Sequence, residues 1–134
     1  MNKEFINALF IRQQRAQAIP RNESIAQWAF EIIGLLFPES SDRVFNTAEE
    51  IEKEFDELQT RLYSLLDATQ ACQNCNNDVI AAKFIAQIPN LYQTLKKDIT
   101  ALNSGDPAAN NEFEVIRTYP GFIAIAFYRI AHQL

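Results

Sequence analysis

Residues 47–72, TAEEIEKEFDELQTRLYSLLDATQAC, decide the fold class. Thr47-Ala48-Glu49-Glu50 is a capping box, in which the threonine oxygen accepts from the amide three residues on while Glu50 reaches back, so that two orphan donors of a helix start are answered together. Behind it Ile51, Phe55, Leu58, Leu62, Leu65, Thr69 and Cys72 recur at alternating spacings of four and three. That period is helical, and the seam it makes is one residue wide. Such a seam packs against a partner helix at a shallow angle, within a bundle or across a subunit boundary. The charged residues of the same stretch form the outer face.

Helical periodicity extends outward in both directions. Toward the N-terminus, Ile25, Trp28, Ala29, Ile32, Ile33 and Leu36 form the stripe of a helix that starts near Asn22 and ends at Phe37-Pro38. Before it, Phe5, Ile6, Leu9 and Phe10 mark a first helix, stopped by Pro20 because the proline ring clashes with a preceding turn. Toward the C-terminus, residues 74–77 interrupt the pattern. A fourth helix carries Ile80, Phe84 and Ile88 up to Pro89, and a fifth carries Leu91, Tyr92, Leu95, Ile99 and Leu102. Asn103-Ser104-Gly105 closes the fifth, glycine being free to turn left-handed at a helix end. After a short apolar stretch, Phe113 to Ile116, the segment from Phe122 to Leu134 is apolar nearly all round, which predicts burial nearly all round. It stops in mid-helix with no capping residue after Leu134, so an imposed or cleaved boundary is expected there.

The expectation is therefore an all-α fold, an array of about six to eight helices. At roughly 100 to 200 residues per domain, 134 residues make one domain. Three glycines and five prolines are too few for the turns of a sandwich or barrel. The net charge of −5 opposes a phosphate backbone, so no nucleic-acid partner is expected. The acidic excess is local: residues 42–67 hold eight acids and three bases, while acids and bases balance on either side. No secretory leader opens the chain and no apolar run approaches the ~20 residues of a membrane span, so a cytoplasmic protein with no membrane partner is expected.

Residues able to carry chemistry are few. Cys72 and Cys75 have the spacing of half a zinc site or of a redox pair, but the other half of the zinc site is absent, since only His132 could add a ligand, and a thioredoxin-like pair needs a strand before it where this one ends a helix. In a reducing compartment two free thiols are expected, and no metal. His132 sits beside Ala131 on the apolar last helix, which predicts a structural histidine hydrogen bonded within the bundle. Asp106, between Gly105 and Pro107, stands where a helix N-cap would. A carboxylate held at a rigid turn to bind an amine is the alternative, and the local sequence leaves both open.

Four blocks at the C-terminal end add specificity: Gly105-Asp106-Pro107-Ala108-Ala109, Glu114-Val115-Ile116, Tyr119-Pro120-Gly121-Phe122 and Tyr128-Arg129-Ile130-Ala131-His132. Their order and spacing resemble the end of the N-terminal helical domain of bacterial serine O-acetyltransferases. The resemblance runs from about Phe84 to Leu134 and is weaker over the earlier helices. Residues 110–112 and the Tyr119-Pro120-Gly121 step depart from the commoner form of that family.

This resemblance implies that residues 1–134 are the helical domain of an enzyme transferring acetyl from acetyl-CoA to L-serine, giving O-acetylserine for cysteine synthesis. It implies that the last helix leads into a left-handed β-helix of hexapeptide repeats, which holds the catalytic histidine and the acetyl-CoA cleft. No catalytic residue and no bound cofactor are then expected in this chain, and the fragment alone is expected to be inactive. Of the family's functional residues, Asp106 matches the aspartate that helps hold the serine ammonium group. A homo-oligomer, trimer or hexamer, is implied, with the Ile51 to Leu65 seam and the Phe122 to Leu134 helix as candidate contacts. O-acetylserine sulfhydrylase is a possible further partner through a C-terminal tail beyond residue 134. A reading of another class is a non-catalytic helical interaction module, in which the Tyr128 to His132 segment docks a partner.

Overall fold

The computed structural model describes the chain except residues 18, 70–73, 106–110 and 119, and the side chains of 113, 118 and 120. Among the described residues seven α-helices make up most of the chain: α1 (Lys3–Ala16), α2 (Asn22–Leu36), α3 (Ala48–Thr69), α4 (Asn77–Ala86), α5 (Ile88–Gly105), α6 (Glu112–Thr118) and α7 (Pro120–Gln133). A single 3₁₀ turn, Pro38–Ser40, follows α2, and there is no strand among the described residues. The all-α expectation holds. No helix among the described residues is long and apolar enough to cross a membrane.

The helix starts follow local chemistry. Thr47 Oγ1 accepts from the Glu50 amide at 3.2 Å, and Glu50 Oε2 accepts from the Asn46 amide at 2.8 Å, so the box forms with the glutamate reaching one residue further back than its usual partner. Asn2 and Asn76 cap α1 and α4 through their side-chain oxygens. α2 ends at Phe37, whose φ of −133° and ψ of 83° have left the helical region, as the following Pro38 demands. One boundary differs from the sequence reading: Ile88 belongs to α5, not α4. Gln87 closes α4, and Pro89 sits in the first turn of α5, where a missing N–H costs nothing.

α3 packs on α2 and α4, α5 packs on α4, α6 and α7, and α7 also reaches α2. The core is continuous across them. Trp28, Ile32 and Ile33 of α2 meet Leu58 and Leu62 of α3 and Phe84 of α4, all with 3% exposure or less. Trp28 Nε1 donates to the Leu58 carbonyl at 2.9 Å, and its ring tilts against Phe84 at 5.3 Å. On the other side Leu95, Val115 and Phe122 are closed off, and the Phe122 ring meets Phe37 edge-on at 5.3 Å. The α3 seam is thus mostly spent within the bundle, and only its N-terminal residue, Ile51, is exposed.

Two helices depart from expectation. α1 buries nothing: Phe5, Ile6, Leu9 and Phe10 are 52%, 46%, 40% and 61% exposed. α7 is buried along one line only, at Phe122, Ala126 and Ile130, while Ala124, Tyr128, Ala131 and His132 face outward. Its composition promised burial all round, but a helix packed on one side of a bundle covers a single face, and alanine tolerates the other.

Charged pairs fix the loop and the last helix. Arg43 clamps Glu54, the one buried charged residue among those described, at 2.6 and 3.2 Å, and lies over Phe45. These hydrogen bonds hold the Arg43 guanidinium above its ordinary pKa. Arg129 of α7 makes a two-pronged contact with Asp98 of α5 at 3.0 and 3.1 Å, which shifts its own pKa in the same direction. Gln133 Nε2 donates to the Phe84 carbonyl at 3.2 Å, tying the end of α7 to the last turn of α4.

Candidate functional site

Asp106, the substrate-binding candidate, lies outside the described residues, but the elements on either side of it are well anchored. α5 is held by the buried Leu91, Leu95 and Ile99 and ends at Gly105. α6 begins at Glu112, with Asn111 Oδ1 accepting from the Glu114 amide at 2.8 Å and with Val115 and Ile116 buried. Thr100 joins the two helices, donating to the Lys96 carbonyl at 3.1 Å and lying 3.5 Å from Glu112 Oε1. Asn103, in the last turn of α5, keeps a buried Oδ1 with no hydrogen-bond partner among the described residues. In the sequence Asp106 follows directly on Gly105, and α5 and α6 both insert side chains into the core.

Three other expectations meet the structure. His132 is exposed, not buried, and stacks face to face on Tyr128 at 5.9 Å and 15°. The correction follows from geometry: at 100° per residue, His132 lies on the side of α7 away from the Phe122, Ala126 and Ile130 line. Cys75 is disulfide-bonded, and no free cysteine occurs among the described residues. Free thiols were expected from the compartment, an argument that weighs redox poise and sees nothing of local geometry. Cys72, the last residue of the seam read from the sequence, lies outside the described residues, as does Tyr119 of the Tyr-Pro-Gly step. Among the described residues, no group of three histidine, cysteine or carboxylate side chains could hold a metal ion.

Sequence reasoning missed a cleft of about 660 Å³, which opens between α2, the 37–46 loop, α6 and α7. Phe30, Leu35, Ile116 and Ile123 supply its apolar wall, and Glu31, Glu39, Arg43 and Arg117 its charge. Glu31 Oε2 is ion-paired with Arg61 of α3 at 2.5 Å, while Glu39 Oε2 is buried without a hydrogen-bond partner among the described residues. A signal for the cleft was present in Gly34. A Cβ there would meet Ser41 Cβ at 3.1 Å, so a larger residue would require the loop to give way from α2 by a few tenths of an ångström.

Comparison with known proteins points one way. The chain is 28% identical over 127 residues to a plasmid-encoded serine acetyltransferase of Synechococcus elongatus, covering 94% of this chain and 40% of that protein. It is 51% identical over 43 residues to the serine acetyltransferase of Bacillus subtilis, covering 20% of that protein. A second serine acetyltransferase of Synechococcus elongatus is 43% identical over 44 residues, 18% of its length. The chain thus spans about two-fifths or less of the curated relatives it matches. No family model matches it, and no solved structure does.

Proposed function

We propose, from the premise that this chain is homologous to serine acetyltransferases, that it is the N-terminal helical domain of such an enzyme. The similarity along 94% of the chain carries this reading, and the all-helical fold agrees with it. The intact protein would work in the cytoplasm, joining acetyl-CoA and L-serine into O-acetylserine for cysteine synthesis. The serine hydroxyl attacks the thioester carbonyl, the carbon–sulfur bond breaks, and coenzyme A leaves as the thiol. The general base that takes the hydroxyl proton lies outside these residues. Acetyl-CoA is then a co-substrate held elsewhere, and this domain carries no cofactor of its own.

Two tasks fall to the helical domain in this reading. It helps assemble a homo-oligomer, and it brings Asp106 to the serine pocket, where a carboxylate pairs with the substrate ammonium group. The test uses the full-length protein, with release of the coenzyme A thiol followed spectroscopically. Serine-dependent release is expected, and its absence would remove the enzyme assignment. Asp106→Ala should raise the KM for serine by about tenfold or more, the range expected for loss of a charge-assisted hydrogen bond, and leave that for acetyl-CoA nearly unchanged. An unaltered serine KM takes Asp106 out of the pocket.

A further inference from the structure

α1 is a formed helix that buries none of its residues. Every residue from Met1 to Gln17 is exposed. At 14 residues it is about the length at which an isolated helix is marginal in water, so its stability has to come from packing on something else. Its apolar stripe is bounded by bases: at 100° per residue Arg12 flanks the side of Phe5 and Leu9, and Lys3 the side of Phe10. Residues 1–21 hold four bases and one acid, a net of +3, while the remaining 113 residues hold eight bases and sixteen acids, a net of −8. The chain is a basic arm on an acidic body.

That body carries a matching receptor. Where the N-terminal half of α3 passes the α4–α5 junction, Ile51, Phe55, Ile85 and Ile88 floor an open apolar groove of about 440 Å³, and Glu52 and Asp56 stand on its rim. Its length along α3, from Ala48 to Asp56, is about 12 Å and accommodates the roughly 7.5 Å from Phe5 to Phe10. An amphipathic helix lying in a groove, with anchors at i, i+3 and i+4, is a common mode of recognition, and Ile6, Leu9 and Phe10 have that spacing.

We infer that α1 is an exchanged arm: its Phe5–Phe10 face seats in the α3/α4–α5 groove of a second copy of this chain, with Arg12 and Arg15 against Glu52 and Asp56. None of the residues lining the groove belongs to α1 of the same chain, and a reciprocal exchange fills both grooves of a dimer with one contact used twice. The acidic body favours this occupant over an anionic lipid surface, which would attract the arm and repel everything attached to it. The inference deepens the assembly role proposed above and rests on that reading only for the place of self-association in the enzyme. It locates the contact in α1 and the start of α3, away from α7.

Sedimentation of the 134-residue chain across about 1–200 µM tests it, a range that brackets a micromolar dissociation constant. A dimer is expected that weakens as salt rises from about 0.05 to 0.5 M, since the pairing charges are exposed. L9Q/F10Q, and separately E52K/D56K, should each raise the dissociation constant by about tenfold or more, the loss typical of an interface hot spot. R12E/R15E should do the same, and combining it with E52K/D56K should restore the dimer. A monomer at every concentration overturns the proposal, as does a dimer indifferent to either set. If that indifferent dimer persists, assembly through another face survives while the arm does not. A monomer whose α1 amides are protected from hydrogen exchange assigns the arm to its own groove and also overturns it. So does binding to phosphatidylglycerol vesicles with no dimer in solution. The α1 variants should melt like the parent at dilution, which separates lost docking from lost folding.

Discussion

Helices α1 and α5 are both built on large apolar residues at helical spacing, and their environments are opposite. In α5, Leu91, Leu95 and Ile99 are buried and Tyr92 and Leu102 pack against the same core, while in α1 each of Phe5, Ile6, Leu9 and Phe10 is at least 40% exposed. Periodicity therefore says which side of a helix is adhesive and does not say to what it adheres. The difference lies in position along the chain: α5 is enclosed by α4, α6 and α7, whereas α1 precedes the first helix of the bundle and none of its residues is buried.

The comparison can be attacked by substitution, from strong effects to weak. Phe84→Ala should cost most, about 3–5 kcal/mol in urea unfolding, because the ring is 1% exposed and supports Trp28. A loss below ~1 kcal/mol would mean that α4 is not part of the core. Leu95→Ala on α5 should follow at about 2–5 kcal/mol, since the side chain is fully enclosed and its site cannot collapse freely. Glu54→Gln keeps the shape but removes the charge facing Arg43. With Arg43 half exposed, the expected loss is about 1–2 kcal/mol, and Arg43→Met should cost more, because it leaves the buried Glu54 carboxylate without its partner. A double-mutant cycle measures that coupling. Last comes Leu9→Ala, the same chemistry as Leu95→Ala on the same kind of stripe. At dilution, where the chain is monomeric, it should stay within about 0.5 kcal/mol of the parent in thermal melting. A Leu9 effect as large as that of Leu95 would abolish the distinction between the two helices.

Much of this architecture was legible in advance, because it is local. The α3 capping box needs only Thr47 and Glu50, and both act as caps. The stripe of α2 gave Trp28, Ile32 and Ile33 as core residues, and all three are buried. Errors appear where the answer depends on distant chain. Pro89 reads as a stop, yet it lies inside the first turn of α5, since a helix start loses nothing to proline. His132 was assigned to the interior from its apolar neighbours. The positions of Phe122, Ala126 and Ile130 settle the buried side of α7 and leave the histidine opposite. The large cleft depends on a loop folding back on α2, and Gly34 was its single sequence trace. As for the candidate site, chemistry alone left Asp106 balanced between a cap and an amine ligand, and only resemblance to whole enzymes favoured the second. A charge at a turn has no periodicity that could reveal its ligand.

The Trp28 contact with the Leu58 carbonyl has an experimental consequence. The protein contains one tryptophan, and that indole is 2% exposed at the junction of α2, α3 and α4. Its fluorescence is therefore a built-in optical readout of the helical body, shifting to the red when the core admits water. No residue of α1 is buried against it, so the same emission should stay constant while α1 docks, frays or is removed. One chain thus separates melting of the body from movement of its first helix without an added label.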